Sequence, residues 1–138
     1  MAKISMASAS ESQRQSGPGF EGIGADLGGG WTAGVSRMDV DLDAADLYTG
    51  LPGDACPLEH LGYVIKGKFV VTWPDGVEEV FEAGDAFHIM PGHKPRYVAG
   101  LEVVDFTRTE DAEPVMAHLQ SRVAEMMARM EAALAAQK

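Results

Sequence analysis

The chain's strongest constraint is a series of short segments between Leu61 and Arg108, each cut off by glycine or proline. Residues 61–66 read as a strand, and Gly67 permits a tight passage into 68–73. Pro74-Asp75-Gly76 then makes a turn, because proline sets φ and glycine accepts a positive φ. Residues 77–82 return as the hairpin partner, Ala83-Gly84-Asp85 turns again, and 86–90 form a short strand. Pro91-Gly92 breaks it, 94–98 resume, and 102–108 close the series. Short strands at near-regular spacing predict an all-β antiparallel sandwich or barrel.

The strand pattern begins upstream, at Trp31. Met38, Val40 and Leu42 alternate with Asp39, Asp41 and Asp43, the period of a half-buried strand. The aspartates do not make a calcium loop, since the positions that need Gly and Glu hold Ala44 and Gly50.

The two ends read differently. Residues 1–16, rich in Ser, Ala, Gln and Glu, are expected to be a flexible tail. Gly17-Pro18-Gly19-Phe20-Glu21-Gly22 matches G-x-G-x-x-G, but no strand precedes it and Pro18 interrupts it, so it reads as a loop leading into the barrel. That lead-in and the strands make one unit over 17–108. Residues 109–138 read as a C-terminal helix, with Thr107 and Glu110 at capping-box spacing and Pro114 in the first turn. Met116, Leu119, Val123, Met126, Met130 and Ala133 follow 3-4 spacing for about two and a half heptads. That stripe either lies on the chain's own barrel or forms a dimer seam.

At 138 residues the chain fits one domain. A single cysteine, Cys56, rules out an intramolecular disulfide. The formal charge is -10, with 21 acids against 11 Lys and Arg, and no basic patch offsets it. Nucleic acid and anionic membrane are therefore not expected partners. No apolar run approaches the ~20 residues that span a bilayer, and the segment from Met1 to Gln15 lacks the apolar stretch of a secretory signal. A cytoplasmic location is the expectation.

Three stretches carry a family resemblance: Gly62-Tyr63-Val64-Ile65-Lys66-Gly67, the Pro74-Asp75-Gly76 hairpin, and Gly84-Asp85-Ala86-Phe87-His88-Ile89-Met90-Pro91-Gly92. In order and spacing, residues 53–106 resemble the cupin superfamily. The resemblance implies an antiparallel double-sheet jelly-roll barrel. It says little of function, because cupins include dioxygenases, isomerases, lyases, storage proteins and sensors. Cupins that hold a metal usually do so with His-x-His, then a Glu and a later His. Counted back from Gly67, Asp54 and Cys56 fall in the two His slots and His60 in the Glu slot. The later His slot falls on Pro95, while His93 directly follows Gly92. The family's four-ligand iron or manganese site is therefore not carried over.

The residues themselves make a separate case. His60, Gly62 and Val64 share one face of an extended chain, as do His93, Pro95 and Tyr97. If the two hairpins are neighbours, Cys56, His60 and His93 converge as a thiolate and two imidazoles with an open fourth position. Such ligands favour a divalent transition metal, namely zinc, iron, nickel or copper, over magnesium or calcium. The plain alternatives are a cysteine that only packs, a satisfied core His60, and a His93 bonded to a turn carbonyl. Four residues are substrate-binding candidates. Arg96 offers a fork for a carboxylate, Asp54 a base or outer-shell partner, His88 an acid/base group, and Tyr63 an apolar pocket wall. Each has an ordinary surface or packing alternative. Ser36 has no nucleophile elbow around it, and neither a His-Glu-x-x-His pair nor a P-loop is present. No nucleophile triad is visible.

These readings lead to three expectations. One is a metal-assisted enzyme acting on a small organic molecule by oxidation, isomerisation or elimination. The second is a non-catalytic ligand- or metal-binding sensor, and the third a homodimeric interaction module. The resemblance implies a homodimer in every case, since cupins often dimerise through their sheets.

Overall fold

The computed structural model describes residues 3–17 and 19–137. Its elements are β1 (Arg14–Gly17), β2 (Phe20–Gly28), β3 (Trp31–Met38), β4 (Leu42–Asp43), β5 (His60–Lys66), β6 (Lys68–Thr72), β7 (Glu78–Glu82), β8 (Ala86–Ile89), β9 (Lys94–Tyr97), β10 (Glu102–Arg108) and α1 (Thr109–Ala136). They build two antiparallel sheets, ordered β1-β2-β3-β10-β5-β8 and β4-β9-β6-β7. The sheets are linked by chain crossings, with β5 and β6 joined at Gly67. Its φ is +69°, and a Cβ there would meet the Gly100 carbonyl oxygen at 2.7 Å. Glycine is required at that crossing.

Strand alternation fills the space between the sheets. Met38, Val64, Phe87, Ile89 and Val103 come from the six-stranded sheet, and Phe69, Val71 and Phe81 from the other. Phe69 stacks on Phe81 at 5.0 Å, and Phe87 meets both edge-on. Val64 and Val71 are wholly buried, each stabilising the fold by about 1.5–3 kcal/mol through removal of apolar surface from water. The all-β double-sheet architecture with a C-terminal helix matches the strand reading of the sequence.

Four local expectations are corrected. The end of the expected flexible tail, Arg14–Gly17, pairs with β2, and Arg14 holds Glu21 at 2.7 Å. The glycine-rich stretch is not a loop: Phe20–Gly28 pairs along β3, because ladder bonds use only backbone groups and so tolerate glycine. Pro18 of the G-x-G-x-x-G match lies outside the described residues. The expected strand through Asp39–Asp43 breaks after Met38, leaving Val40 45% exposed and only a two-residue β4.

The helix supplies the fourth correction. Its buried stripe is Ala112, Val115 and Val123 with Leu119 half-buried, whereas Met116 is exposed. Val115 and Leu119 pack on Tyr48 and Cys56 in a second core cluster. His118 Nε2 bonds the Thr49 carbonyl at 2.9 Å, and Arg122 bonds that of Asp46. The helix's first half therefore lies on its own barrel, while Leu134 near its end is exposed. The Met130 side chain lies outside the described residues. The expected capping box does not form: the N-cap is Arg108, not Thr107, and its side chain makes no capping bond. No helix among the described residues is long and apolar enough to cross a membrane.

Candidate metal centre

The loop before β5 and the turn before β9 meet through their backbones. Cys56 N–H donates to the His93 carbonyl at 2.9 Å, and Gly92 N–H donates back to the Cys56 carbonyl at 2.8 Å. This bridge, outside the named strands, pins Cys56 beside His93 despite 37 residues of separation (93 minus 56). His60 opens β5 on its inward face, the parity it shares with Gly62 and Val64. One ligand atom from each of Cys56, His60 and His93 lies within 4.8 Å of the others. The sequence-derived trio is thus brought together.

The two imidazoles are oriented by what their other nitrogens do. His93 Nδ1 donates to the Met90 carbonyl at 2.8 Å, which leaves Nε2 as the ring nitrogen facing away from that turn. The expected turn-carbonyl bond of His93 is therefore present, and it orients the ring instead of occupying it. His60 Nδ1 lies 3.0 Å from Asp105 Oδ2 and 2.9 Å from Thr107 Oγ1, while its Nε2 lies 3.5 Å from Cys56 Sγ. The Thr107 hydroxyl donates to the same carboxylate at 3.4 Å. A carboxylate behind a histidine whose far nitrogen faces a thiol is the outer-shell arrangement of many metal sites.

Asp105 has room because its neighbour on β3 has no side chain. Gly34 of β3 and Gly62 of β5 lie opposite it on either side. A Cβ on Gly34 would meet Asp105 Oδ1 at 2.9 Å, so this glycine makes the room, whereas Gly62 is glycine because a Cβ there would meet the Phe87 ring at 2.3 Å. Sequence reasoning missed Asp105, because only the sheet register carries it to His60.

The electrostatics follow from this packing. Burial pushes the Cys56 thiol up, but hydrogen bonds from His60 and His93, with their charge, outweigh it and bring the thiol down to about 6. Burial pushes His60 down, yet its bonds to Asp105 and Cys56 raise it to about 10. Tyr48 and Tyr97 close the site on the helix side. Burial first holds both phenols well above their usual range and keeps them neutral; charge on Tyr97 and then Cys56 adds to this at Tyr48, and charge on Cys56 at Tyr97.

The donor set fits a transition metal. A tetrahedral zinc with Zn–S of about 2.3 Å and Zn–N of about 2.0–2.1 Å separates sulfur from nitrogen by about 3.6 Å. The Cys56–His60 separation of 3.5 Å already has that value. With all three ligand atoms within 4.8 Å of one another, the cluster could hold a metal ion. Inward of it lies a cavity of about 80 Å³ lined by His60, His93, Tyr97, Phe87 and Asp105 among others.

No protein-family model matches the sequence, and no curated protein matches it. Solved structures do match the fold. Ectoine synthase from P. lautus, a cupin-fold protein, aligns at TM-score 0.54 and 9% identity over 79% of this chain and 78% of that one. The chain has the cupin fold. A protein of unknown function from Rhizobium leguminosarum aligns at TM-score 0.52 and 19% identity, over 78% of this chain and 96% of that one. An RmlC-like cupin from Shewanella frigidimarina gives TM-score 0.49 and 20% identity, over 79% and 95%. Within this fold, the cysteine and two histidines that the sequence reading singled out come together, with Asp105 beside them.

The four substrate-binding candidates lie elsewhere, three of them by strand parity and Asp54 by its turn. Tyr63 is 46% exposed on the outer face of β5, between inward Gly62 and Val64. His88 points outward between Phe87 and Ile89 and pairs with Glu59 at 3.2 Å. Arg96 alternates with inward Pro95 and Tyr97 and faces Glu78 at 3.8 Å. Asp54, at φ +52°, accepts the Gly50 N–H at 3.0 Å, the turn role that was its ordinary alternative. None of the four lines the cavity beside the cluster.

Proposed function

We propose that this cupin binds a divalent transition metal through Cys56, His60 and His93, and offers the remaining coordination position to a small molecule. The convergence of three ligand atoms within 4.8 Å carries the reading. The orientation of both imidazoles supports it, since each Nδ1 is occupied by an oxygen acceptor and each Nε2 is left for a ligand role. Asp105 makes His60 a better electron donor and fixes its ring. Tyr48 and Tyr97 exclude water from the thiolate. Bound there, a zinc-type ion supplies Lewis acidity. Metal analysis of the purified protein tests this. One equivalent is expected in wild type, with strong loss in Cys56→Ala and His60→Ala, and a metal-free wild type that ignores added zinc, iron, nickel and copper would refute it.

One observation favours a second reading. Cys56, His60 and Asp105 form a thiol–imidazole–carboxylate row, with separations of 3.5 and 3.0 Å. Such a row activates a cysteine nucleophile. Cys56 is only 1% exposed, which ranks this below metal binding. Rapid alkylation of Cys56 in protein that binds no metal would reverse the order.

A further inference from the structure

The cavity beside the cluster is small for an organic ligand, whose sites usually reach about 300–1,000 Å³. A second hollow has that size. A groove of about 590 Å³ runs between the first strands of the six-stranded sheet and α1. Asp105 and Ser36 line both spaces, so the groove ends where the metal site's outer shell begins.

Its floor contains Gly22 and Gly24 of β2. Neither has a positive φ, and a Cβ on either would meet nothing closer than 3.6 Å. Glycine weakens a strand interior, and at these two positions neither backbone conformation nor crowding demands it. Gly34 and Gly67 differ, since each has a clash that explains it. What the absence of side chains at 22 and 24 does is keep the groove deep.

The lining also sorts ligands by charge. Asp26 and Glu113 contribute carboxylates, while Asp105 is already held by His60 at 3.0 Å and the lining's basic residue, Arg14, by Glu21 at 2.7 Å. Thr107 and Ser36 add hydroxyls near the inner end. A carboxylate or phosphate would meet like charge there, whereas an ammonium group would find acceptors.

We propose that this groove binds a small organic amine and delivers it to the inner site past Asp105 and Ser36. The delivery rests on the metal-centre reading; the binding does not. The test is ligand-observed NMR on the full chain with size-matched primary amines, neutral polyols and carboxylates, with metal content measured in parallel. Amines are expected to bind and carboxylates to fail. Gly24→Val and Gly22→Val should each weaken amine binding by about tenfold or more, with melting temperature and metal content retained. Absence of amine binding, equal binding by carboxylates, undiminished binding in both valine variants, or failure of both variants to fold would each overturn the proposal. Amine binding by a protein that takes no metal would keep the groove and remove the metal centre, and the converse result would do the opposite.

Discussion

His60 Nδ1 lies 3.0 Å from Asp105 Oδ2, at a sheet position that Gly34 on the neighbouring strand keeps open. The carboxylate holds Nδ1 and so turns Nε2 towards Cys56 Sγ, 3.5 Å away. Asp105→Asn keeps the shape and removes the charge. Metal affinity, measured by competition with a chelator, should fall about 10–100-fold while the melting curve of the metal-free protein shows a folded chain. Unchanged affinity would mean that His60 needs no carboxylate behind it.

The thiol provides the pH test. In metal-free protein the ultraviolet absorbance of the thiolate should titrate at about 6, below the ordinary value of 9.0. Because that value is lowered by folding, the thiolate's stabilisation is present at alkaline pH and lost as pH falls through about 6. His60, raised from 6.5 to about 10, contributes fully below 6.5 and loses its contribution as pH rises through about 10. The two slopes oppose each other between these limits, so overall stability is a poor reporter and the thiol absorbance a good one. His60→Ala should move the thiol midpoint up by at least about one unit.

Gly67→Ala tests the crossing between the sheets. Its φ of +69° and the 2.7 Å approach to the Gly100 carbonyl leave no place for a methyl group. Urea unfolding should show a loss of more than about 1 kcal/mol. A neutral result would mean that the β5–β6 passage is built differently.

The helix face can be checked by a pair of substitutions. Val115 is 6% exposed and Met116 is 41% exposed. Val115→Ala should cost about 1–3 kcal/mol and Met116→Ala about 0.5 kcal/mol or less by urea unfolding. The reverse ranking would place the methionine stripe, not Val115, against the barrel.

These residues show what a linear reading can reach. The strands from 60 to 108 were legible because each carries its own signal: local alternation bounded by Gly or Pro. Cys56, His60 and His93 were legible because the motif spacing indexes them to Gly67 and Gly92. Asp105 was not, since its meaning lies in register with Gly34, 71 residues earlier by subtraction, and no local pattern encodes that pairing. Parity also decided the failures. Tyr63, His88 and Arg96 sit one residue out of phase with inward neighbours, and a one-residue phase moves a side chain to the opposite face. Gly22 reads as loop because glycine carries no alternation signal, yet β3 supplies the ladder that makes it strand.

The most direct measurement is X-ray absorption at the edge of whatever metal the purified protein carries. The predicted first shell has one sulfur at about 2.3 Å and two imidazole nitrogens at about 2.0–2.1 Å, with the sulfur vanishing in Cys56→Ser. A shell of oxygen and nitrogen without sulfur, or a protein that carries no metal and takes none up, would contradict the account.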